Sequence, residues 1–287
     1  MGEVIEHPGA VPRLELRGDA SSATLAPGRG GMLTSLVVGG RELFYLDEST
    51  LLDTSKNVRG GAPVLFPSPG KLAHDMWAYG GRIGSMKQHG FARNYAFKTT
   101  EKKTSPTPSV TLRLVSNEET EKLYPYFFAL DLTYTLLDNG VRIDQRIENR
   151  GRAPMPFGMG FHPYFAVPDA SKSDARIPTN ASRAFDNTTK KTIDLPKGPI
   201  DLTKNEVDLH LIEHGGPNAE LSAAGRGTIS LTGSPEYRRW VVWTLRGKDF
   251  VCLEPWTCPG NALNTGEDLI ELAPAESRTL YVEIALR

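Results

Sequence analysis

Apolar and polar residues alternate along this chain in short runs with the spacing of strands rather than helices. In LDLTYTL, Leu130, Leu132, Tyr134 and Leu136 project one way, and Asp131, Thr133 and Thr135 the other. The turn signal Asp138-Asn139-Gly140 follows, and then Val141, Ile143 and Ile147 alternate with Arg142, Asp144, Arg146 and Glu148. This pattern predicts a hairpin with one buried and one wet face. A slip of one residue would expose the whole apolar set, so the pairing is firmly specified. The same period puts Leu280, Val282, Ile284 and Leu286 on one side of TLYVEIAL. TISLTG and RRWVVWTL predict two further strands joined by the turn-like GSPEY, and GMLTSLVVGGRELFYLD reads as two strands around Gly39-Gly40. Only DLTKNEVDLHLIEH, Asp201–His214, is compatible with a short helix.

Twenty-eight glycines and 21 prolines punctuate the runs densely. No composition break or internal repeat divides the chain, so residues 1–287 are read as a single all-β domain, a large sandwich of antiparallel sheets. A length of 287 residues admits that reading as readily as two small domains, and an apolar fraction of 39% is enough for a substantial core. Charge narrows the partners. With 33 basic and 34 acidic residues there is no global field toward nucleic acid, and no basic block replaces it. No apolar run is long enough to span a membrane. The opening MGEVIEHPGAVPRL lacks a basic segment followed by an apolar one, and Glu6 stands where a myristoylation signal needs Ser or Thr. A cytoplasmic protein is therefore expected, a monomer or weak homodimer, and the acceptor patterns at Asn180 and Asn187 are read as chance. Two cysteines, Cys252 and Cys258, are too few for a disulfide scaffold and lack CxxC spacing.

Three polar groups sit in conspicuous contexts: His89 in MKQHGFARN, His162 in GFHPYF and Glu254 in VCLEPWTCPGN. The prolines after His162 and Glu254 mark element boundaries, where a side chain can project into a cleft from an anchored backbone. An imidazole near its free pKa of about 6.5 exchanges protons near neutrality. A carboxylate becomes a competent base when its cavity raises it from about 4.3. Placed on opposite sides of a small neutral molecule, the two form a bifunctional acid–base pair. Each also has a plain structural reading: a core histidine bonded to a carbonyl, a strand-end ion pair, a histidine in a turn. Arg59, before two glycines in NVRGGAPVLFPSPGK, offers a planar donor fork for hydroxyl pairs, carboxylate or phosphate, or simply marks a turn. Arg93 can bind an anion or neutralise a neighbouring acid. Trp77, Trp256 and Tyr164 can stack on a sugar ring or pack a core. No HExxH helix, zinc motif or phosphate-binding glycine loop is present, and no cofactor or metal is expected.

Taken in order, GGAPVLFPSPGKL, QHGFARNYAF, MPFGMGFHPYFAVP and CLEPWTCPGNALNTG resemble the aldose 1-epimerase family, or galactose mutarotase-like proteins. The likeness is greatest to the bacterial branch with hexose-6-phosphate mutarotase-like and LacX-like members, and it runs from about residue 25 to the C-terminus. The resemblance implies a β-supersandwich with a sugar cleft and no cofactor. Its partner would be a small-molecule aldose or aldose phosphate. By motif, His162 matches the histidine thought to protonate the ring oxygen, and Glu254 the glutamate thought to take the anomeric hydroxyl proton. His89 matches the histidine that binds and polarises the sugar near its ring oxygen and hydroxyls. Arg59 falls where sugar-phosphate members carry an arginine before paired glycines, Arg93 adjoins the same pocket, and Asp208 in EVDLHLIEH is the counterpart of the family's sugar-binding aspartate. Phosphosugar members commonly follow PVxFP with Trp-Phe-Gly, whereas Ser68-Pro69-Gly70 stands here, so free and phosphorylated hexoses both remain open. A non-catalytic sugar-binding protein on the same scaffold is the rival reading. A glycoside hydrolase or lyase lacks the expected carboxylate signature.

Overall fold

The structure is a computed structural model and describes residues 2–287. The alternating runs assemble into three main sheets, and every ladder between strands is antiparallel. The first is a five-stranded meander through Glu3–His7, Arg13–Arg17, Ser21–Ala26, Met32–Val38 and Arg41–Glu42. The second has seven strands and is centred on the predicted hairpin. Phe128–Leu137 pairs with Gly140–Asn149 across the Asp138-Asn139 turn, with Leu136 opposite Val141 and Tyr134 opposite Ile143. Ser277–Leu286, which contains TLYVEIAL, pairs on the far side of that hairpin. The third has eight strands, and it carries the chemistry. Its order runs Lys191–Asp194, Arg183–Asp186, Glu206–Ile212, Arg239–Leu245, Phe250–Trp256, Gly160–Phe161, Val64–Leu65, and Tyr164–Ala166 also pairs with Phe250–Trp256.

Two sequence expectations change here. The helix expected within Asp201–His214 is instead the strand Glu206–Ile212. Val207, Leu209 and Leu211 are buried while the residues between them are more open, a strict period of two that outweighs the local helix formers. TISLTG and RRWVVWTL do form strands, Gly227–Gly233 and Arg239–Leu245, but in different sheets. GSPEY is thus a crossing between layers and not a hairpin turn. It is anchored by the fully buried Tyr237, whose hydroxyl donates to Gln145 Oε1 at 2.8 Å.

One apolar cluster extends from Leu14 to Ile284 and joins the sheets. Near the third sheet its centre is aromatic, with Phe66 packed against Phe91, Tyr124, Phe128 and Phe157. Phe66 directly follows the strand Val64–Leu65, so its burial pins the start of the Pro67–Gly70 segment beside the cleft. Full burial of a side chain this size is worth about 1.5–3 kcal/mol. No helix among the described residues is long and apolar enough to cross a membrane.

Candidate active site

The strand Phe250–Trp256 organises the site through its pleat. Val251, Leu253 and Pro255 face one way, and Cys252, Glu254 and Trp256 the other. Antiparallel register then supplies their neighbours. On Arg239–Leu245, Trp243 lies opposite Cys252 and Val241 opposite Glu254. One strand further, Asp208 lies opposite Trp243 and His210 opposite Val241. Asp208, His210, Val241, Trp243, Glu254 and Trp256 thereby share one face and line a cavity of about 310 Å³. Asn187 comes in from the next turn and donates to Asp208 Oδ2 at 2.7 Å.

Loops complete the ring. His162 leaves the short strand Gly160–Phe161, its N–H bonded to Pro63 O at 3.0 Å, and Tyr164 N bonds Gly61 O at 2.8 Å. A side chain at 160 would put its Cβ 2.8 Å from Trp256 Cδ1, so only glycine lets this strand lie against the indole. The His162 ring stacks on Tyr164 at 4.7 Å and meets Trp243 edge-on at 5.6 Å. The second glycine after Arg59 and Pro63 two residues on provide these carbonyl anchors, which explains the RGGAP stretch. Arg59 reaches over Trp243, 5.6 Å from the ring centroid, in cation–π contact. Its backbone is held by Thr50 Oγ1 at 2.8 Å, and Arg29 Nη2 secures the same loop through the carbonyls of Thr50, Asp53 and Lys56. Arg93 donates to Gln88 O at 3.0 Å, while its buried Nε has no partner. Neither Arg59 nor Arg93 forms an ion pair among the described residues.

His162 Nε2 stands 3.4 Å from Glu254 Oε1, and the two residues are 8% and 2% exposed. Burial pushes the Glu254 carboxyl well above the usual range and Asp208 adds to this, while the Trp256 N–H and Arg93 oppose it. Trp256 Nε1 donates to Glu254 Oε2 at 3.1 Å. Burial also holds His162 well below the ordinary imidazole range, with His89, Arg93 and Arg59 contributing. An imidazole titrating near 6.5 is therefore not what the fold provides. When the pair holds one proton, the favoured form is a neutral carboxyl beside a neutral imidazole. His162, Cys252 and Glu254 offer donor atoms within 4.8 Å of one another, close enough for one small cation. Burial keeps the Cys252 thiol up in its protonated form, however, and burial also favours the protonated Glu254 carboxyl.

His162, Glu254, His89, Arg59, Arg93, Asp208 and Trp256 all line the one cavity. Trp77 does not. It lies in Met76–Tyr79, 1% exposed, packed on Tyr124 and Tyr126 with its N–H on Leu123 O, because the aromatic core claims its whole surface. Trp256 is 2% exposed, so it presents little ring face for stacking and serves chiefly to hold Glu254. His210, Trp243, Asn187 and Gln88 also line the cavity and were not singled out from sequence. For His210 and Trp243 the signal was present in their period-two spacing from Asp208 and Val241.

The family model described as Aldose 1-epimerase matches residues 12–285. The chain belongs to the aldose 1-epimerase family. Among solved relatives of this epimerase, the Slr1438 protein of Synechocystis sp. PCC 6803 is 34% identical and superposes with a TM-score of 0.89, over 99% of this chain and 95% of that one. A galactose mutarotase-like protein from Lactobacillus casei ATCC 334 is 25% identical with a TM-score of 0.77, over 96% and 100% of the two chains. A Cenchrus ciliaris protein provisionally named glucose-6-phosphate 1-epimerase is 27% identical over 278 residues, spanning 88% of this chain and 80% of its own. The resemblance read from the four motifs is thus borne out, as is the all-β, galactose mutarotase-like architecture.

Proposed function

We propose that this epimerase interconverts the α and β anomers of a hexose or hexose 6-phosphate by opening and reclosing the ring, with Glu254 and His162 as the proton-transfer pair. One observation carries the reading: a buried carboxyl and a buried imidazole 3.4 Å apart at the floor of a polar cavity. The anomeric hydroxyl and the ring oxygen are bonded to the same carbon, so the groups that serve them must themselves be close neighbours. Glu254 takes the proton from the anomeric hydroxyl while His162 gives one to the ring oxygen. The C1–O5 bond breaks and the aldehyde forms. Rotation about C1–C2 turns the other carbonyl face to the ring-closing oxygen, and the two transfers then run backward.

Burial of both groups favours the shared proton on the carboxyl. Hydroxyls of a bound sugar that donate to Glu254 favour its ionised form and draw the proton across to His162. Each such transfer contributes about 10²–10⁴-fold. The two anomers must bind comparably, so binding should rest on hydroxyls away from C1, through Asp208, His210 and Asn187. Arg59 and Arg93, which have no carboxylate partner among the described residues, support a phosphate bound in the same cavity. The provisional name of the Cenchrus ciliaris relative points the same way.

Freshly dissolved α-glucose and α-glucose 6-phosphate, followed by polarimetry or NMR, test the reading. The protein should accelerate anomeric exchange of at least one, and Glu254→Gln should remove nearly all of that acceleration while remaining folded. Arg59→Ala should weaken the phosphosugar selectively. An equal loss on glucose would remove the phosphate role, and binding without anomerisation would make the protein a sugar sensor.

A further inference from the structure

We infer that His89 meets the substrate as a hydrogen-bond acceptor, so that it selects for a hydroxyl at one sugar position and does not contact the ring oxygen. The inference rests on the anomerisation reading above and adds to it which class of sugar atom this histidine recognises.

His89 Nδ1 lies 2.5 Å from Pro69 O. A backbone carbonyl only accepts, so Nδ1 carries the proton of this bond. A neutral imidazole has one ring proton, and the other nitrogen then keeps its lone pair. Burial, aided by the Arg93 guanidinium, holds the group down to about 3, so a second proton on Nε2 is absent across the working range. The ring lines the cavity, and no protein group hydrogen-bonds Nε2 among the described residues. What faces the sugar is therefore a lone pair.

The surroundings prevent the ring from turning over. His89 adopts a left-handed backbone with φ of 73°, which a residue of this kind takes only when held there. The hold is visible on both sides. His89 N–H reaches back to Gly70 O at 3.4 Å, and Phe91 and Ala92 both donate to Phe66 O at 3.0 and 3.1 Å. Gly90 sits between them with φ of 67°, and any Cβ there would fall 2.2 Å from Phe66 O. The imidazole itself is wedged edge-on between His162 at 5.4 Å and Trp256 at 5.9 Å. Reversing it would strand Nδ1 and the Pro69 carbonyl together without partners.

A sugar ring oxygen has no hydrogen to give, so setting it against Nε2 would oppose two lone pairs. A hydroxyl fits, because it donates to Nε2 and can accept from elsewhere. A phosphate dianion is excluded for the same reason as the ring oxygen. This leaves the ring oxygen to His162 and makes His89 a specificity determinant for one hydroxyl-bearing carbon. The family resemblance alone placed His89 near ring oxygen and hydroxyls alike; its anchoring carbonyl decides between them.

Two experiments test this. In uniformly ¹⁵N-labelled wild-type protein, imidazole correlation spectra near neutral pH should show the His89 Nδ1 protonated and Nε2 unprotonated, assigned by loss of the signals in His89→Phe. A proton on Nε2 overturns the inference whatever the activity, and this reading needs only the wild-type protein to be folded. Second, among 2-, 3-, 4- and 6-deoxyglucose, the one lacking the hydroxyl that His89 accepts should lose about 10- to 100-fold in kcat/KM against glucose, since a buried acceptor is left unpaired. In His89→Phe that discrimination should shrink to within about threefold, the acceptor being gone. If no deoxy sugar's discrimination shrinks in His89→Phe, the inference is also overturned. Absence of anomerisation with every aldose would instead defeat the function proposed above, and the tautomer would still be decided by the spectra.

Discussion

Replacing Glu254 with glutamine should make the protein more stable as pH rises while it becomes inactive, and both effects come from one buried carboxyl. Glu254 is 2% exposed, and its hydrogen bond comes from Trp256 Nε1. Its pKa is raised, by burial first and then by Asp208, above that of the unfolded chain. Below the unfolded value of about 4.3 both states hold the proton, and the buried carboxyl carries no penalty. Above it the unfolded chain releases the proton while the folded protein retains it. Stability then falls by up to about 1.4 kcal/mol per pH unit, until the folded carboxyl also ionises and the loss levels off. Glutamine has nothing to release. Its amide oxygen can still accept from Trp256, and its amide nitrogen can donate to the neutral His162, so the shape and the bonds are kept.

The difference between Glu254→Gln and wild type should therefore widen from about pH 5 upward, by at most about 1.4 kcal/mol per pH unit. For a chain of this length each pH unit at that limiting slope is a Tm difference on the order of 2 °C. His162 works in the opposite sense. Its folded pKa is depressed, so its contribution is present above about 6.5 and is lost as pH falls; it titrates in both proteins and largely cancels in the comparison. Thermal or urea unfolding from pH 5 to 8, in parallel with polarimetry, measures both halves. Anomerisation should drop by about 10²–10⁴-fold. A constant stability offset at every pH would mean that Glu254 titrates as it does in water, and the account of a desolvated proton pair would fail.

Three further substitutions probe the scaffold. Gly90→Ala forces a Cβ to within 2.2 Å of Phe66 O in a left-handed backbone and should cost more than about 2 kcal/mol, read by urea unfolding. A neutral result would mean that the turn under His89 is looser than described. Arg29→Ala removes the donor shared by the Thr50, Asp53 and Lys56 carbonyls and should cost about 1–3 kcal/mol. Because this loop carries Arg59, steady-state kinetics on a phosphosugar should show KM rising more than kcat falls. Tyr134→Phe breaks the buried 2.7 Å bond to Gly31 O, and neither residue lines the cavity. It should lower stability by about 1–2 kcal/mol and leave anomerisation rates untouched.

What could be read from the sequence follows the periodicity. The hairpin of Phe128–Asn149 was legible because its apolar residues keep a strict period of two around an unambiguous turn. Glu254 was legible as a candidate from its place before Pro255 at a strand end, whereas the face it shares with Cys252 and Trp256 emerges only from the pleat of Phe250–Trp256. Trp77 and Trp256 looked alike as candidate sugar platforms, since an aromatic side chain does not announce in sequence which aromatics will surround it. Tyr124 and Tyr126 took Trp77 into the core, and nothing near residue 77 in the chain indicates that. The segment Asp201–His214 misled because its Leu, Glu and Lys content suits a helix and masked the period of two in Val207, Leu209 and Leu211, which the pairing of His210 with Val241 and Asp208 with Trp243 makes plain.

The site depends most on that hidden register. A strand by itself presents alternate side chains but does not choose what stands beside them. Glu254 acquires Asp208, a second acid that helps keep its proton, because Glu206–Ile212 pairs with Arg239–Leu245 in one register; a shift of one residue would turn Asp208 and His210 into the core and bring Leu209 to the cleft. That alternative is closed by Val207, Leu209 and Leu211, whose burial the slip would undo. The apolar residues that never touch the cavity thus determine which polar residues meet there, and through them the proton affinity of Glu254. Polar substitution of Leu209 should disturb the carboxyl's titration as surely as substitution of Asp208, although only one of the two lines the cavity.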